Sequence, residues 1–258
     1  MTNNDAKATF WEHLDVLRWC VLRSLGVTLV FTIVAFVLKD ELFAVIMAPK
    51  DPNFITYRLM GASDFNVQLI NTGLARQFLV HMQAAFCAGL LCASPYVIYE
   101  LFHFIAPALY ASERRYALGM VGSGYVMFAV GVVVSYYIVF PLTFRFLGTY
   151  EVSHEVTNMV SLDSYMDTLL VMSLSMGAVF EMPVLAWLLA RMGVLHSRLM
   201  LHYHRHAIVA ILVAAAFITP TSDVFTLLVV ALPMTLLYEA SVLIVKCTEK
   251  PRQAVAAS

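Results

Sequence analysis

The chain has 258 residues, of which 61% are hydrophobic and 13% are charged, with a formal net charge of −1. Ordinary soluble domains contain about 25% charged and about 45–50% apolar residues. A soluble core cannot absorb this apolar excess, so the composition predicts an integral membrane protein. The slightly negative net charge and the lack of a basic patch argue against a nucleic-acid partner. The polar first eighteen residues lead us to expect no cleavable signal peptide.

Six segments are apolar and long enough to be membrane helices, since a span needs about 20 mostly apolar residues. They are residues 19–38, 76–99, 116–140, 167–190, 203–218 and 224–245. We therefore predict one all-α polytopic domain, with Pro141 closing the third span. The connector between the last two segments is only five residues long, which predicts a tight hairpin and a short fifth helix. Residues 248–258 are predicted to be a disordered tail.

Six spans place both termini on one side of the bilayer, and the basic residues indicate which side. Eleven of the 16 Lys and Arg residues fall on the side of the termini, and five fall on the other side. Because basic residues concentrate on the cytoplasmic side, we predict that both termini are cytoplasmic. The outer loop at residues 39–75 contains Pro49 and is expected to form a short ordered cap with an extended piece.

A polar hinge at residues 104–115 separates the second and third spans. Pro107 cannot continue a helix, and Ser112 can cap the next one, with the carboxylate of Glu113 directly behind it. The arginine pair that ends at Arg115 indicates the cytoplasmic side. Two interpretations stay open: a plain connector between membrane helices, or the working surface of the protein.

Acidic residues within the spans are costly in hydrocarbon unless they are neutral, paired or hydrated. Glu181 lies deep in the fourth span and is followed by Pro183, which loosens the helix. Glu181 is either a structural acid paired within the bundle or part of a polar dent that receives a partner. Asp223, at the hairpin between the last two spans, is either a helix N-cap or a contact residue.

The N-terminal segment adds further carboxylates on the cytoplasmic side. Glu12 and Asp15 lie in an amphipathic lead-in to the first span, and Glu113 lies in the hinge. Carboxylates that face the cytoplasm suit a cationic ligand, above all guanidinium groups, which bind carboxylates in a bidentate manner.

No pattern of catalytic residues stands out. The sequence contains no H-E-x-x-H zinc motif, no G-x-S-x-G nucleophile elbow and no Walker-type phosphate loop. His202 and His206 share a helical face but have no carboxylate or thiol nearby in sequence, so a solvated cluster is favoured over a metal site. We predict that the protein is not an enzyme and has no catalytic residue, metal or cofactor.

The chain resembles the TatC family, the large membrane component of the twin-arginine protein translocase, from about residue 10 to residue 245. The motifs that carry the resemblance are HLDVLR at 13–18, AP at 48–49, FIAPALY at 104–110 with ERR at 113–115, FP at 140–141, FEMPV at 180–184 and TPTSDVF at 219–225. Their order along six predicted spans is the order of the family.

The resemblance implies a cup-shaped six-helix bundle with short fifth and sixth helices, which receives folded proteins that carry a twin-arginine signal peptide. It implies that Glu113 pairs with the signal-peptide arginines and that Glu181 faces the concave surface. It also implies single-span partners of the TatA/TatB type, self-association in the lipid bilayer, and transport driven by the proton gradient.

The remaining site assignments come from the same motifs. The expected signal-peptide surface comprises Glu113, Glu12, Asp15, Phe104, Pro107 and Arg115, and the expected concave-face contacts are Glu181, Pro183 and Asp223.

One position departs from the family pattern His-Leu-x-Glu-Leu-Arg, because Val16 replaces the second arginine-binding carboxylate. Our hypothesis is that Glu12 or Asp15 supplies the second carboxylate instead. A different class of function stays open as the alternative, namely a proton-coupled small-solute carrier that uses Glu181 and Asp223. Inverted repeats would favour a carrier, and the sequence contains none.

Overall fold

The computed structural model describes residues 3–61, 67–105, 117–150, 159–221 and 223–256. Within these ranges the chain is mostly helical. The helices are α1 (Asn3–Val37), α2 (Lys39–Met47), α3 (Ile55–Leu59), α4 (Arg76–Ile105), α5 (Ala117–Val134), α6 (Phe140–Thr149), α7 (Leu162–Phe180), α8 (Met182–Arg191), α9 (Ser197–His202), α10 (His204–Ile218) and α11 (Val224–Ala256). Two short strands, β1 (Gln68–Ile70) and β2 (Met159–Ser161), pair in parallel.

Five helical segments of the described chain are long and apolar enough to cross a membrane. They are Leu14–Val37, Arg76–Phe104, Gly119–Thr149, Leu162–Arg191 and Val224–Glu249. These match five of the six predicted spans and confirm a multi-pass helical membrane protein. The fifth predicted span is α10, an apolar helix of only 15 residues, so the prediction of a short fifth helix is confirmed. The count of six crossings, the cup shape and the side of the termini stay predictions.

The prediction that Pro141 closes the third span is wrong, because the helix continues through a π-helical turn, Ser135–Val139, into α6. The N–H of Phe140 bonds to the carbonyl of Ser135, five residues back. Pro141 has no N–H for the carbonyl of Tyr137. The hydroxyl of Thr56 in α3 donates to that carbonyl instead. The proline therefore follows a local change from α-helical to π-helical hydrogen bonding, and the helix does not end there.

The prediction that residues 248–258 form a disordered tail is wrong as far as Ala256, since α11 is helical to that residue. The sixth helix is therefore not short. A side-chain contact explains why the helix outlasts the apolar sequence. The Glu249 carboxylate accepts hydrogen bonds from the amide N–H of Ser197, at 2.9 Å, and from the Ser197 hydroxyl. This contact caps the start of α9 and ties it to α11.

The ordered cap predicted for the outer loop is confirmed. It consists of α2, a 3₁₀ turn at Ala48–Lys50, α3 and the β1–β2 pair. Its centre is Tyr57, which is fully buried and donates to the carbonyl of Pro49 at 2.9 Å. Burial raises the pKa of the Tyr57 hydroxyl, so it stays a donor at every physiological pH. We call this end of the bundle the cap end, and the opposite end, where α4 stops and α5 starts, the hinge end.

Small residues let α5 and α7 pack in close contact. A Cβ on Gly131 would lie 2.6 Å from the carbonyl oxygen of Met176 and 2.9 Å from the Cβ of Phe180. A Cβ on Gly177 would lie 2.7 Å from the ring of Phe128. Such contacts are typical of membrane helices, which gain their packing energy by close approach of backbones.

Candidate functional site

The hinge that carries the strongest sequence motif falls mostly outside the described residues. Pro107, Glu113 and Arg115 belong to the part that is not described, so their predicted roles stay predictions. Phe104 lies within the described part of the hinge; it is the penultimate residue of α4 and is partly buried. It marks the point from which the hinge leaves the bundle.

Of the two N-terminal carboxylates, one has a described side chain. Glu12 lies in helix α1, but its side chain is outside the described part of the structure. Asp15 is exposed on α1. Exposed ion pairs are worth about 0–1 kcal/mol, so a contact between Asp15 and a cation is weak unless a ligand shields it from water.

Glu181 occupies a break in the fourth span. Helix α7 ends at Phe180 and α8 begins at Met182, and Pro183 stands in the first turn of α8. Proline removes one backbone donor and is tolerated in the first turn of a helix, which explains a break at this position. Glu181 therefore lies between two helices and not within one, and Pro183 beside it is buried.

The carboxylate of Glu181 lies at the junction of three helices. A Cβ on Gly124 would lie 3.2 Å from the Oε2 atom of Glu181, 3.2 Å from the Cγ2 atom of Ile98 and 3.1 Å from the ring of Phe102. The Oε1 atom of Glu181 is buried and has no hydrogen-bond partner among the described residues. A buried polar atom without a partner costs about 1–3 kcal/mol. The described residues therefore give no support to an acid paired inside the bundle, and the polar dent stays a prediction.

An apolar groove begins beside Pro183 and runs towards the hinge end. Its first part has a volume of about 370 Å³ and lies between α5, α8 and α11, where Met127, Trp187 and Leu237 line it. A second part of about 480 Å³ shares Trp187 and continues past Arg191, whose guanidinium lies over the Trp187 ring at 5.4 Å. The groove therefore runs from Pro183 to a basic rim at Arg191.

Asp223, a predicted contact residue, and Pro49, predicted in the outer loop, both have structural roles at the cap end. Asp223 precedes α11, and its Oδ2 atom accepts the N–H of Thr226 at 2.7 Å, which is the geometry of an N-cap. Burial is the largest single influence and would raise the pKa of the Asp223 carboxyl, but this backbone hydrogen bond and the hydroxyls of Thr221 and Thr226 together lower the pKa. Pro49 is buried in the 3₁₀ turn, where its carbonyl accepts from Tyr57.

Glu100 is a buried acid on α4 near the hinge end, where its position in the sequence suggests an interfacial acid. Only 6% of the residue is exposed, although it lies on α4 five residues before the hinge end. Its Oε1 atom accepts a hydrogen bond from the hydroxyl of Tyr96 at 2.7 Å and lies 3.9 Å from Nη1 of Arg23 on α1. The signal that could have revealed this pair is one isolated charge of each sign in two neighbouring apolar spans.

Comparison with known proteins places this geometry in a family. A family model described as Sec-independent protein translocase protein (TatC) matches residues 12–233. The relative named Sec-independent protein translocase protein TatC from Deinococcus radiodurans is 35% identical over 240 residues, which cover 93% of this chain and 86% of the relative. The protein of the same name from Koribacter versatilis is 35% identical over 238 residues, which cover 91% of this chain and 83% of the relative.

A crystal structure described as the twin-arginine translocase receptor TatC superposes on this chain with a TM-score of 0.79 and 27% identity. The match covers 92% of this chain and 99% of the solved one. Together with the match over residues 12–233, this agreement in sequence and fold leaves one conclusion. The chain belongs to the TatC family of Sec-independent protein translocase proteins.

Proposed function

We propose that this protein is the receptor subunit of a twin-arginine translocase in the bacterial inner membrane. The observation that carries the proposal is the family match over residues 12–233, which includes the hinge motif. The solved relative is described as a twin-arginine translocase receptor. The excess of basic residues on the side of the hinge supports a cytoplasmic hinge end, where a cargo leader arrives.

Recognition of the leader centres on Glu113. Arginine presents a planar fork of N–H donors that matches a carboxylate in two parallel hydrogen bonds, whereas lysine is a point charge. Each charge-assisted contact contributes about 1.5–3 kcal/mol where water is partly excluded. We expect Phe104, Pro107 and Arg115 to belong to the same binding surface, and Glu12 and Asp15 are candidates for a second contact.

The break at Glu181 and the adjoining groove form the second part of the receptor. The unsatisfied Oε1 atom of Glu181 accepts a polar group from a bound segment, and the apolar walls around Met127 and Leu237 hold apolar side chains. The segment is either the apolar stretch of the leader or a helix of a single-span partner of the TatA/TatB type. Transport driven by the proton gradient requires no nucleotide site.

The test is export of a folded reporter with a twin-arginine leader from cells that carry only the variant protein. Glu113→Ala abolishes export because it removes the first guanidinium partner, while the amount of inserted protein is unchanged. Glu41→Ala is the matched control, since Glu41 is an exposed acid in the first turn of α2 at the cap end. Normal export by Glu113→Ala contradicts the proposal.

The solute-carrier alternative makes a different prediction for the same cells. A carrier that uses Glu181 and Asp223 would tolerate Glu113→Ala and would acidify or alkalinise vesicles when its solute is added. The family assignment supports the translocase receptor and gives no support to the carrier.

A further inference from the structure

We propose that Glu100 is a second guanidinium-binding carboxylate and that Arg23 occupies it until a twin-arginine leader displaces Arg23. The inference rests on the proposed receptor function and names a residue of the same binding surface. It identifies the ligand chemistry as an arginine guanidinium, and it makes Arg23 an internal competitor for the leader.

The place of Glu100 in the bundle suits this role. Helices α1 and α4 pack closely along their length; a Cβ on Gly89 would lie only 2.6 Å from the backbone nitrogen of Thr32. Nearer the hinge end, Arg23 lies beside Glu100. Glu100 stands five residues before the end of α4 at Ile105, about 7 Å along the helix axis. An extended arginine side chain from a peptide bound at the hinge spans that depth.

The contacts of Glu100 leave room for a further donor. Both polar contacts that the described residues make with it fall on Oε1, from Tyr96 and from Arg23. As far as the described residues go, the lone pairs of Oε2 stay available for a second N–H, which is what a bidentate guanidinium requires.

The geometry of the ion pair between Arg23 and Glu100 allows the two side chains to separate. The distance of 3.9 Å between Nη1 and Oε1 is too long for a hydrogen bond, and the Arg23 side chain is 61% exposed whereas that of Glu100 is 8% exposed. Arg23 can swing into the surrounding aqueous or headgroup region at little cost, but Glu100 cannot leave. A buried carboxylate needs a cationic partner, so one guanidinium is exchanged for another.

Glu100 also differs from Asp15 in its exposure to solvent, since Glu100 is buried and Asp15 is exposed. A contact with Asp15 is screened by water and contributes little. A contact with Glu100 is less screened and discriminates between arginine and lysine, because only the guanidinium fork reaches both carboxylate oxygens. We therefore assign the larger share of arginine selectivity to Glu100.

The experiment measures binding of two fluorescent synthetic leaders to the full-length protein in nanodiscs, one with Arg-Arg and one with Lys-Lys. Glu100→Gln keeps the acceptor for Tyr96 and removes the charge; the Arg-Arg leader then binds about tenfold more weakly and the Lys-Lys leader is little affected. Arg23→Gln removes the competitor, and the Arg-Arg leader binds severalfold more tightly. In the double variant the gain from Arg23→Gln disappears, because Arg23 acts through Glu100.

Two controls separate this proposal from a structural role. Glu239→Gln removes an acid that is paired with His204 at 3.4 Å, also at the hinge end, and leaves both affinities unchanged. Thermal unfolding of each variant detects a merely structural Glu100, for which stability would fall while the ratio of the two affinities stayed constant. That result overturns the inference, as does a gain from Arg23→Gln that persists in the double variant.

Failure of the inference is distinguishable from failure of the receptor function. If the unaltered protein prefers Arg-Arg but Glu100→Gln and Arg23→Gln leave that preference intact, the receptor stands and the role of Glu100 is rejected. If the unaltered protein binds both leaders equally, both proposals fall.

Discussion

Two groups of buried polar side chains differ in their partners: the tyrosines Tyr57 and Tyr165 at the cap end, and the carboxylates Glu100 and Glu181 towards the hinge end. At the cap end, the buried hydroxyls of Tyr57 and Tyr165 donate to backbone carbonyls of the outer loop. Towards the hinge end, Glu181 has a buried oxygen without a described partner, and Glu100 holds its cation loosely at 3.9 Å. Satisfied polar groups fix one conformation, whereas unsatisfied ones are costly and persist where a ligand supplies the missing partner.

The contrast teaches where stability and recognition reside in this chain. The cap end closes the helices with a hydrogen-bonded cluster around Tyr57, Phe140 and Tyr165. The hinge end, which we propose recognises the leader, lacks part of that stabilisation. Substitutions at the cap end should therefore change unfolding, and substitutions towards the hinge end should change leader binding or export.

The largest expected effect on stability is at Tyr57. Tyr57→Ala empties a fully buried site and removes the donor to two carbonyls, Pro49 at 2.9 Å and Pro141 at 3.3 Å. We expect a loss of about 3–5 kcal/mol in the free energy of unfolding. Tyr57→Phe keeps the ring and should cost about 1–3 kcal/mol. Denaturation in detergent measures both, and an unchanged stability of Tyr57→Phe would show that the hydroxyl does not hold the cap.

A smaller loss is expected where α5 meets α7. Gly131→Ala places a Cβ 2.6 Å from the Met176 carbonyl oxygen, so the helices must separate, at a cost of about 1–3 kcal/mol. Gly119→Ala is the matched control in the same helix, since a Cβ there meets no atom within 4 Å. Thermal unfolding of the two variants should differ; the same midpoint for both would contradict the close approach.

A pH-dependent contribution of about 1 kcal/mol is expected from the N-cap of α11. The pKa of Asp223 is lowered in the folded state, so its contribution is complete above the unfolded value of about 3.9 and is lost as the pH falls through the lower folded value. Asp223→Asn keeps the cap without the charge. The difference in stability between the two proteins should shrink on acidification below about pH 4, and a constant difference would exclude this origin.

The smallest effect on stability is expected at Glu181, because substitution of this residue should mainly change export. Glu181→Gln removes a charge whose Oε1 atom has no described partner, so the free energy of unfolding should change by less than about 0.5 kcal/mol or rise. Export of a twin-arginine reporter should fall nonetheless. A destabilised variant with normal export would make Glu181 a structural acid and remove the contrast between the two ends.

The amino-acid sequence was enough to predict the spans, the short α10, the ordered outer loop and the N-cap at Asp223, because each depends on local patterns. It misplaced the end of the third span because the partner that compensates for Pro141, Thr56, lies 81 residues away from Tyr137 in sequence. It missed the burial of Glu100 for the same reason, since Arg23 comes from another helix. The extension of α11 also depends on a distant residue, Ser197.

The central claim is that the hinge end, and not the cap end, binds paired guanidinium groups of a leader. Site-specific photocrosslinking tests it most directly, with the photoreactive residue in place of His103, which is exposed near the hinge end of α4, so that Glu113 and Glu100 stay intact. The control carries it in place of Leu59, which is exposed at the cap end. We predict that a labelled Arg-Arg leader crosslinks at position 103, that a Lys-Lys leader crosslinks weakly, and that neither crosslinks at position 59. Equal crosslinking of both leaders at position 103, or of the Arg-Arg leader at both positions, would contradict the account.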